Sequence, residues 1–552
     1  MYCRFLLIVM FLLPVTAAVA NDGDAASGLI RARVEQIGTA DGLEIRGEAI
    51  ASQIVLPALY RERNFSPLWS NPLAAGQLLE VLGSIHEDGL DPVDYHYQTL
   101  PGLQEAITSG TTPDPALQAD YDLLLTDSII RLGYHLLVGK VDPVASDQNW
   151  NMDWTIGDLD SVLALARAID DGTVNELVER LRPGDAVYSR LKETLAHYRQ
   201  LAGEGGWQPV PAGPALKPGM SDPRISALRQ RLAVTGELRD KPEASTEYYD
   251  AMLEMAVKSF QRHHGLADDG VVGRATLQAL NVPVQARIDQ LRVNLERARW
   301  ILHDLPDDYV LVDIAGYRVT LVRGGEAVWK ARAVVGKPYR KTPVFRSRIT
   351  YMELNPTWTI PPTILRKDIL PEVKQDPVYL LNKNMRVIDR EGRDIDMATI
   401  DWSLYPAAGF PYLIRQEPGP DNALGRVKFM FPNKYSVYLH DTPSKSLFEK
   451  NARAFSSGCI RVENPYRLAE LLLDDPDNWS RQAISKMIDT RETRTVSLKQ
   501  PVTILLLYWT IGFDDDGTVL FKQDIYNRDA LVLAGLNQPF MFRERPVISS
   551  AE

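Results

Sequence analysis

Apolar residues recur at helical spacing through the first third of the chain. Between 44 and about 205, Leu123-Leu124-Leu125, Ile129-Ile130 and Leu136-Leu137-Val138 return every three to four positions. This predicts an amphipathic helix over 122–138 stopped by Gly139, with loops such as 110–115 between helices. Residues 203–214, rich in Gly and Pro, read as a linker. A compact helical segment follows over 215–283. Ile225, Leu228 and Leu232 share one helix face, Met255 and Phe260 mark a second, a tight turn spans 265–270, and Gly273 precedes a helix carrying Leu277 and Leu280. Ile288, Leu291, Leu295, Ala298 and Leu302 line one side of a connecting helix over 284–307. From Tyr309 the period shortens to two: Val310, Val312, Val319, Leu321 and Val328 lie in strand-like runs broken by Gly316 and Gly324-Gly325. Strands recur to about 462, interrupted by a helical insertion at 361–381 and a loop at 415–425. A helix at 466–473 and a strand at 502–511 complete a β-rich domain over 308–515, and 516–552 reads as a tail. The fold class expected is multidomain α+β: a helical N-terminal scaffold, a small three-helix bundle and a largely β domain with a helical insertion.

The chain's 552 residues allow two to four domains, and 45% hydrophobic with 24% charged residues is ordinary globular composition. A net charge of -11 argues against an extended nucleic-acid surface. Arg4, the apolar run 5–13, Pro14 and Ala18-Val19-Ala20 have the layout of a secretory signal peptide over 1–20. The alternative, an uncleaved anchor, is disfavoured because a spanning helix needs roughly 17–25 apolar residues. The two cysteines are Cys3 and Cys459, so cleavage leaves one thiol and no internal disulfide. That thiol is either reactive or an inert buried cysteine.

Of eight histidines only His440 lies beyond 303, and Cys459 follows it 19 residues later. One thiol and one imidazole in a β-rich domain are the minimal parts of nucleophilic acyl transfer, and a paired imidazolium lowers a thiol's pKa. Gly458 lets backbone amides approach an oxyanion. Arg461 suits a peptide carboxylate, or else forms an ion pair that holds the loop. His86, His96 and His135 lack metal-ligand spacing, and adjacent His263-His264 do not share a helix face and read as solvated surface. No metal site is expected.

Two stretches resemble known families. Ala256-Val-Lys-Ser-Phe-Gln-Arg-His-His-Gly-Leu-Ala-Asp-Asp-Gly-Val-Val-Gly-Arg-Ala-Thr-Leu-Gln-Ala-Leu280 is similar to the peptidoglycan-binding type 1 module, a three-helix bundle. His440 with Ser456-Ser457-Gly458-Cys459-Ile460-Arg461 resembles the YkuD-type L,D-transpeptidases, although many members carry histidine at the position of Ser457. Val335-Gly336-Lys337-Pro338-Tyr339-Arg340-Lys341-Thr342-Pro343-Val344-Phe345, Leu354-Asn355-Pro356-Thr357-Trp358 and Leu424-Gly425-Arg426-Val427-Lys428-Phe429 resemble the YcbB-like branch. The resemblance implies that Cys459 attacks the third residue of a peptidoglycan stem, a diaminopimelate. D-alanine is released from a thioester, which the side-chain amine of another diaminopimelate resolves as a 3→3 cross-link. It implies no metal, cofactor or nucleic acid. The partners it implies are stem peptides and the sacculus, carbapenem β-lactams as inhibitors, and cell-wall synthases, in the periplasm of a Gram-negative envelope. By position, Tyr438, Gly458 and Cys459 would contribute oxyanion-hole N–H groups, and the Asp441 carbonyl would orient His440. Arg461, Ser457, Trp358 and Asn355 would bind substrate, and 361–381 would cap the cleft. A hydrolase using the same thioester and a non-catalytic wall-binding scaffold are the competing readings.

Overall fold

In the computed structural model the described residues are 22–37, 43–109, 114–148, 150–152, 159–238, 247–376, 378–405 and 409–542. The expected signal segment 1–20, Cys3 and most of the loop at 110–115 lie outside them. Among the described residues no helix is long and apolar enough to cross a membrane.

The N-terminal domain is built around α1 (Pro115–Val138), which starts where the Asp114 carboxylate accepts the Ala116 N–H and ends at Gly139, with φ of 82°. It begins earlier than its apolar pattern predicts and is not amphipathic, because its polar face is buried too. Asp122 accepts the N–H groups of Leu68 and Trp69 at 3.0 and 2.8 Å and the Tyr60 hydroxyl at 2.5 Å. Asp127 accepts Ser52 N–H at 2.8 Å, His96 Nε2 at 2.8 Å and Arg131 Nε at 2.6 Å. Buried carboxylates satisfied in this way tie the surrounding loops to one helix. The domain closes with α2 (Ala186–Gly203), capped by Asp185.

The stretch at 203–214 is not a free linker. The Trp207 indole N–H donates to the Val282 carbonyl at 3.0 Å, and Val210 exchanges hydrogen bonds with the Asn281 side chain at 2.8 and 2.9 Å. Helices α3 (Arg224–Val234), α4 (Ala251–His263) and α5 (Arg274–Leu280) then form the expected bundle around Ile225, Leu228, Leu232, Val257, Phe260 and Leu280. Two residues are placed against expectation: Met255 is 67% exposed, whereas His264 is buried. Its ring lies between Phe260 and Phe521, with centroids 3.8 and 5.5 Å away, while His263 turns towards Asp514 at 3.8 Å.

Helix α6 (Val284–Arg299) packs Ile288, Leu291, Leu295 and Ala298 against Tyr188, Leu191, Leu195 and Tyr198 of α2. Its other sides are also covered: Glu296 and Arg299 pair at 2.5 Å with no exposure, and Asn294 bonds Thr510 at 2.7 Å.

Among the described residues the main sheet of the β domain has nine strands: β1 (Tyr309–Asp313), β2 (Arg318–Arg323), β3 (Glu326–Gly336), β4 (Phe345–Leu354), β5 (Val427–Met430), β6 (Leu439–His440), β7 (Ala454–Ser456), β8 (Ile460–Val462) and β9 (Arg494–Leu507). Their order is β7-β3-β8-β6-β5-β4-β9-β1-β2, and β2 also pairs with β3, so eight strands close a ring with β7 outside it. The two insertions expected at 361–381 and 415–425 are one subdomain. Strands Trp358–Thr359, Leu413–Gln416, Met385–Ile388 and Asp394–Ile395 form a separate sheet that packs with short helices around Leu365, Val373, Val387 and Ile414. The described part of the expected tail, 516–542, is likewise not loose. A hairpin (Ile511–Phe513 with Val519–Phe521) and α7 (Asp529–Leu536) return to the core, burying Tyr526, Val532 and Leu536.

Burial holds the His264 imidazole well below its ordinary pKa, so the fold keeps it neutral while the unfolded chain protonates it near pH 6.5. Its contribution is therefore intact above that pH and lost as pH falls, by about 1.4 kcal/mol per unit. We expect His264→Phe to make the decline of unfolding free energy between pH 6.5 and 4.5 shallower by that slope, measured by urea titration; an unchanged slope would contradict this burial.

Candidate active site

Strand pairing brings the two residues singled out by their chemistry to one surface. β6 and β8 pair in parallel with Leu439 opposite Ile460 and His440 opposite Arg461. Leu439 and Ile460 are fully buried in the core. Alternation along each strand then sends Tyr438 and His440, and Cys459 and Arg461, to the opposite face. The register continues across the sheet, with His440 opposite Lys428 on β5 and Lys428 opposite Glu353 on β4. A row of polar side chains, Glu353, Lys428, His440 and Arg461, thus crosses four strands, and Cys459 sits at its edge. The Lys428 ammonium is 3.1 Å from the Glu353 carboxylate and 4.6 Å from the centre of the Tyr438 ring.

The Cys459 thiol is half-buried, and its sulfur faces the Ser436 carbonyl at 3.6 Å. Burial pushes its pKa up, opposed by the Tyr438 backbone N–H, the Tyr438 hydroxyl and the charges of Lys428 and Arg461. His440 is 4% exposed. Burial, then the Arg461 charge, pushes its pKa down to about 3, against the pull of the Asp441 and Leu424 carbonyls. The expected imidazolium partner for the thiol is therefore not the resting state; both groups are neutral near pH 7. The Asp441 carbonyl does face His440, but Nδ1 is buried without a well-formed hydrogen bond. The Asp441 carboxylate is engaged elsewhere, with the Arg426 N–H at 2.9 Å and with Lys445.

The expected N–H donors divide. Cys459 N–H has no partner among the described residues, and Tyr438 N–H is turned to the sulfur. Gly458 N–H, by contrast, is already donated to Ser456 Oγ at 3.1 Å. Gly458 is needed for its φ of 123°, since a Cβ there would meet only the Lys341 carbonyl at 3.7 Å.

Among the expected substrate contacts, Arg461 forms no ion pair with any described residue, and its Nε is buried without a partner. The loop-holding ion pair weighed from the sequence is thus absent among the described residues, and this cation faces the thiol. Burial raises the pKa of the Tyr438 hydroxyl, and the neighbouring Trp358 side chain opposes that rise. Ser457 is exposed and accepts from Arg340 at 2.7 Å; the same guanidinium pairs with Asp368 of the inserted subdomain at 2.6 Å. Asn355 is misassigned. It is fully buried with φ of 50°, and its amide nitrogen spans the carbonyls of Met487, Ile488 and Glu492 at 3.2, 3.0 and 3.2 Å. It closes a helix end instead of facing the cleft. Lys428, the Tyr438 hydroxyl and Arg340 were missed as site groups. Lys428 had a signal, being the polar position between inward Val427 and Phe429.

Residues 307–504 match the model of the YkuD "L,D-transpeptidase catalytic domain". Residues 55–195 match a "Scaffold domain" and 221–280 a "Putative peptidoglycan binding domain". The chain is 34% identical over 280 residues to a "Putative L,D-transpeptidase" of Haemophilus influenzae, covering 49% of this chain and 56% of that protein. It is 39% identical over 75 residues to an N-acetylmuramoyl-L-alanine amidase of Mycobacterium tuberculosis, covering 12% of this chain and 18% of that protein. It thus spans little more than half the length of the first relative and under a fifth of the second. Among solved structures, an L,D-transpeptidase of Xylanimonas cellulosilytica aligns over 54% of this chain and 99% of its own, with 17% identity and a TM-score of 0.18. Residues 307–504 are an L,D-transpeptidase catalytic domain of the YkuD type, borne on one chain behind a scaffold domain and a peptidoglycan-binding domain.

Proposed function

We propose that this chain is a peptidoglycan L,D-transpeptidase that joins stem peptides through a thioester on Cys459 and forms 3→3 links between diaminopimelate residues. The observation that carries the reading is the strand register that presents Cys459 and His440 on one face, with unspent N–H groups of Cys459 and Tyr438 beside the sulfur, inside a domain matching this family. The order of scaffold, peptidoglycan-binding module and catalytic domain supports the YcbB-like branch, and wall polymer as substrate supports action in the periplasm.

The chemistry follows from a neutral pair. As Cys459 sulfur attacks the carbonyl of the third stem residue, His440 takes the thiol proton and the two N–H groups receive the developing oxyanion. Burial and the neighbouring cations make the imidazolium unstable, so it passes the proton to the departing D-alanine amine. The C–N bond breaks and the thioester remains. In the second half the acceptor amine attacks the thioester, loses a proton through His440 and restores the thiol. Arg461, a cation with no counter-ion among the described residues, is placed for a carboxylate of the donor stem. The inserted subdomain, tied to the Cys459 loop through Arg340, limits the access of water that would hydrolyse the thioester. The same thioester chemistry supports acylation by carbapenems.

We expect Cys459→Ala to form no dimeric muropeptides and to take up no carbapenem by intact-mass spectrometry, and any surviving adduct would overturn the assignment. Wild-type protein that only trims monomeric muropeptides would make the chain a hydrolase.

The depressed imidazole sets a second expectation. A base with its pKa near 3 stays neutral above that value, so wild-type carbapenem acylation should be nearly flat over about pH 5–8, with no loss near 6.5. His440→Gln should lower the rate at pH 7 roughly 10²–10⁴-fold. The variant's rate should then climb about tenfold per pH unit as thiolate forms, while its non-covalent affinity is retained. Stopped-flow acylation across pH tests this, and a wild-type acid limb centred near 6.5 would refute the neutral pair.

A further inference from the structure

Apart from Arg340, the stretch Val335-Gly336-Lys337-Pro338-Tyr339-Arg340-Lys341-Thr342-Pro343 has no part in the chemistry above, yet it lies directly under the Cys459 loop. The Lys337 N–H bonds the Ser456 carbonyl at 3.0 Å, and β7 runs beside β3. At the centre is Thr342, with no exposure, alongside Tyr526 at 1%. Three hydrogen bonds link these two residues to Gly336 and Gly458, and a fourth joins them to each other. Gly336 N–H donates to Thr342 Oγ1 at 2.9 Å, and Thr342 Oγ1 donates to the Gly458 carbonyl at 2.8 Å. Thr342 N–H donates to the Tyr526 hydroxyl at 3.1 Å, which donates to the Gly336 carbonyl at 2.7 Å. Each hydroxyl receives a backbone N–H and faces a backbone carbonyl, so the direction of every proton is determined. Gly336 must be glycine, because a Cβ would overlap the Arg340 carbonyl and lie 2.7 Å from Thr342 N.

The carbonyl that Thr342 holds belongs to the same peptide unit as the Cys459 N–H. In a planar trans peptide the C=O and N–H point in opposite directions. Pinning the Gly458 oxygen into the buried clamp therefore aims the Cys459 N–H the other way, where it meets no protein acceptor among the described residues. A hydrogen bond on that carbonyl also polarises the peptide and strengthens its N–H as a donor. We propose that Thr342, supported by Tyr526, is a positioning residue that orients the Cys459 N–H as an oxyanion donor without touching substrate. The proposal rests on the reading of Cys459 as nucleophile. It places a residue from the end of the domain, beyond the matched 307–504, in the machinery of the first half-reaction.

The test separates two reactions of the same sulfur. Acylation by a carbapenem passes through a tetrahedral oxyanion, whereas alkylation by iodoacetamide displaces iodide at carbon and forms none. In the full-length protein Thr342→Val should slow acylation roughly 10- to 100-fold, leave the non-covalent carbapenem affinity within about twofold, and leave alkylation within about threefold. Thr342→Ser, which keeps the hydroxyl, should return acylation to within about threefold of wild type. Tyr526→Phe, which loses one link of the clamp, should show the same selective defect at roughly three- to tenfold, and it carries the test if Thr342→Val does not fold. Unchanged acylation in Thr342→Val, a parallel fall of acylation and alkylation, or no rescue by Ser would each overturn the proposal. A wild-type protein that reacts with iodoacetamide but is never acylated would instead sink the reading of Cys459 as nucleophile, and the clamp's role with it.

Discussion

The parallel pairing of β6 with β8 is the constraint on which the site depends. Both strands are very short, two and three residues, so few ladder bonds hold them. Their register is set by Leu439 and Ile460, which face each other and are fully buried. Burying side chains of this size is worth about 1.5–3 kcal/mol each. A slip of one residue in either strand would turn its polar residue, His440 or Cys459, towards the apolar core and its aliphatic residue away from it, because side chains alternate with period two. Apolar burial on one face therefore enforces the polar constellation on the other. The chain between the strands supplies the crossover a parallel pair requires, and β7 within it lies on β3.

The same geometry determines the electrostatics. Lys428 and Arg461 sit on either side of His440 because register puts them there. Two cations beside a buried imidazole disfavour its protonated form, while burial disfavours the thiolate despite those cations. The balance is a neutral, poised pair. An imidazolium formed in such a place is a strong acid, which suits a reaction whose leaving group is an amine that must gain a proton.

The β domain does not stand apart from the rest of the chain. Arg528 pairs with Asp147 of the N-terminal domain at 2.7 Å, and Asp147 also accepts the Val344 N–H at 3.2 Å, next to the motif that underlies the Cys459 loop. Helix α6 meets α2 on one side and Thr510 and Asp529 on another. The rear of the site is thus assembled from segments near 147, 342 and 526, so the helical domains and the chain end contribute to the rigidity of the reacting loop.

Local pattern alone determined much of this protein. The change of period at Tyr309, the bundle around Ile225 and Phe260, and the pairing of a lone late histidine with a lone late cysteine all follow from the local sequence, where periodicity and residue chemistry act. What failed depended on which other element covers a given face. Asp122 and Asp127 look like a solvent face of α1 but lie against loops that spend their N–H groups on them. His264 looks exposed until Phe521, far along the chain, stacks on it. Asn355 lies in a motif that suggested the cleft, yet a helix end folds over it and takes its amide. Gly458 was read as an oxyanion donor, but Ser456 takes its N–H, and the carbonyl on its other side is claimed by Thr342. Sequence determines what each side chain can bond; only tertiary structure decides whether water or a distant segment is there to bond it, because desolvation and partner geometry are properties of the packed whole.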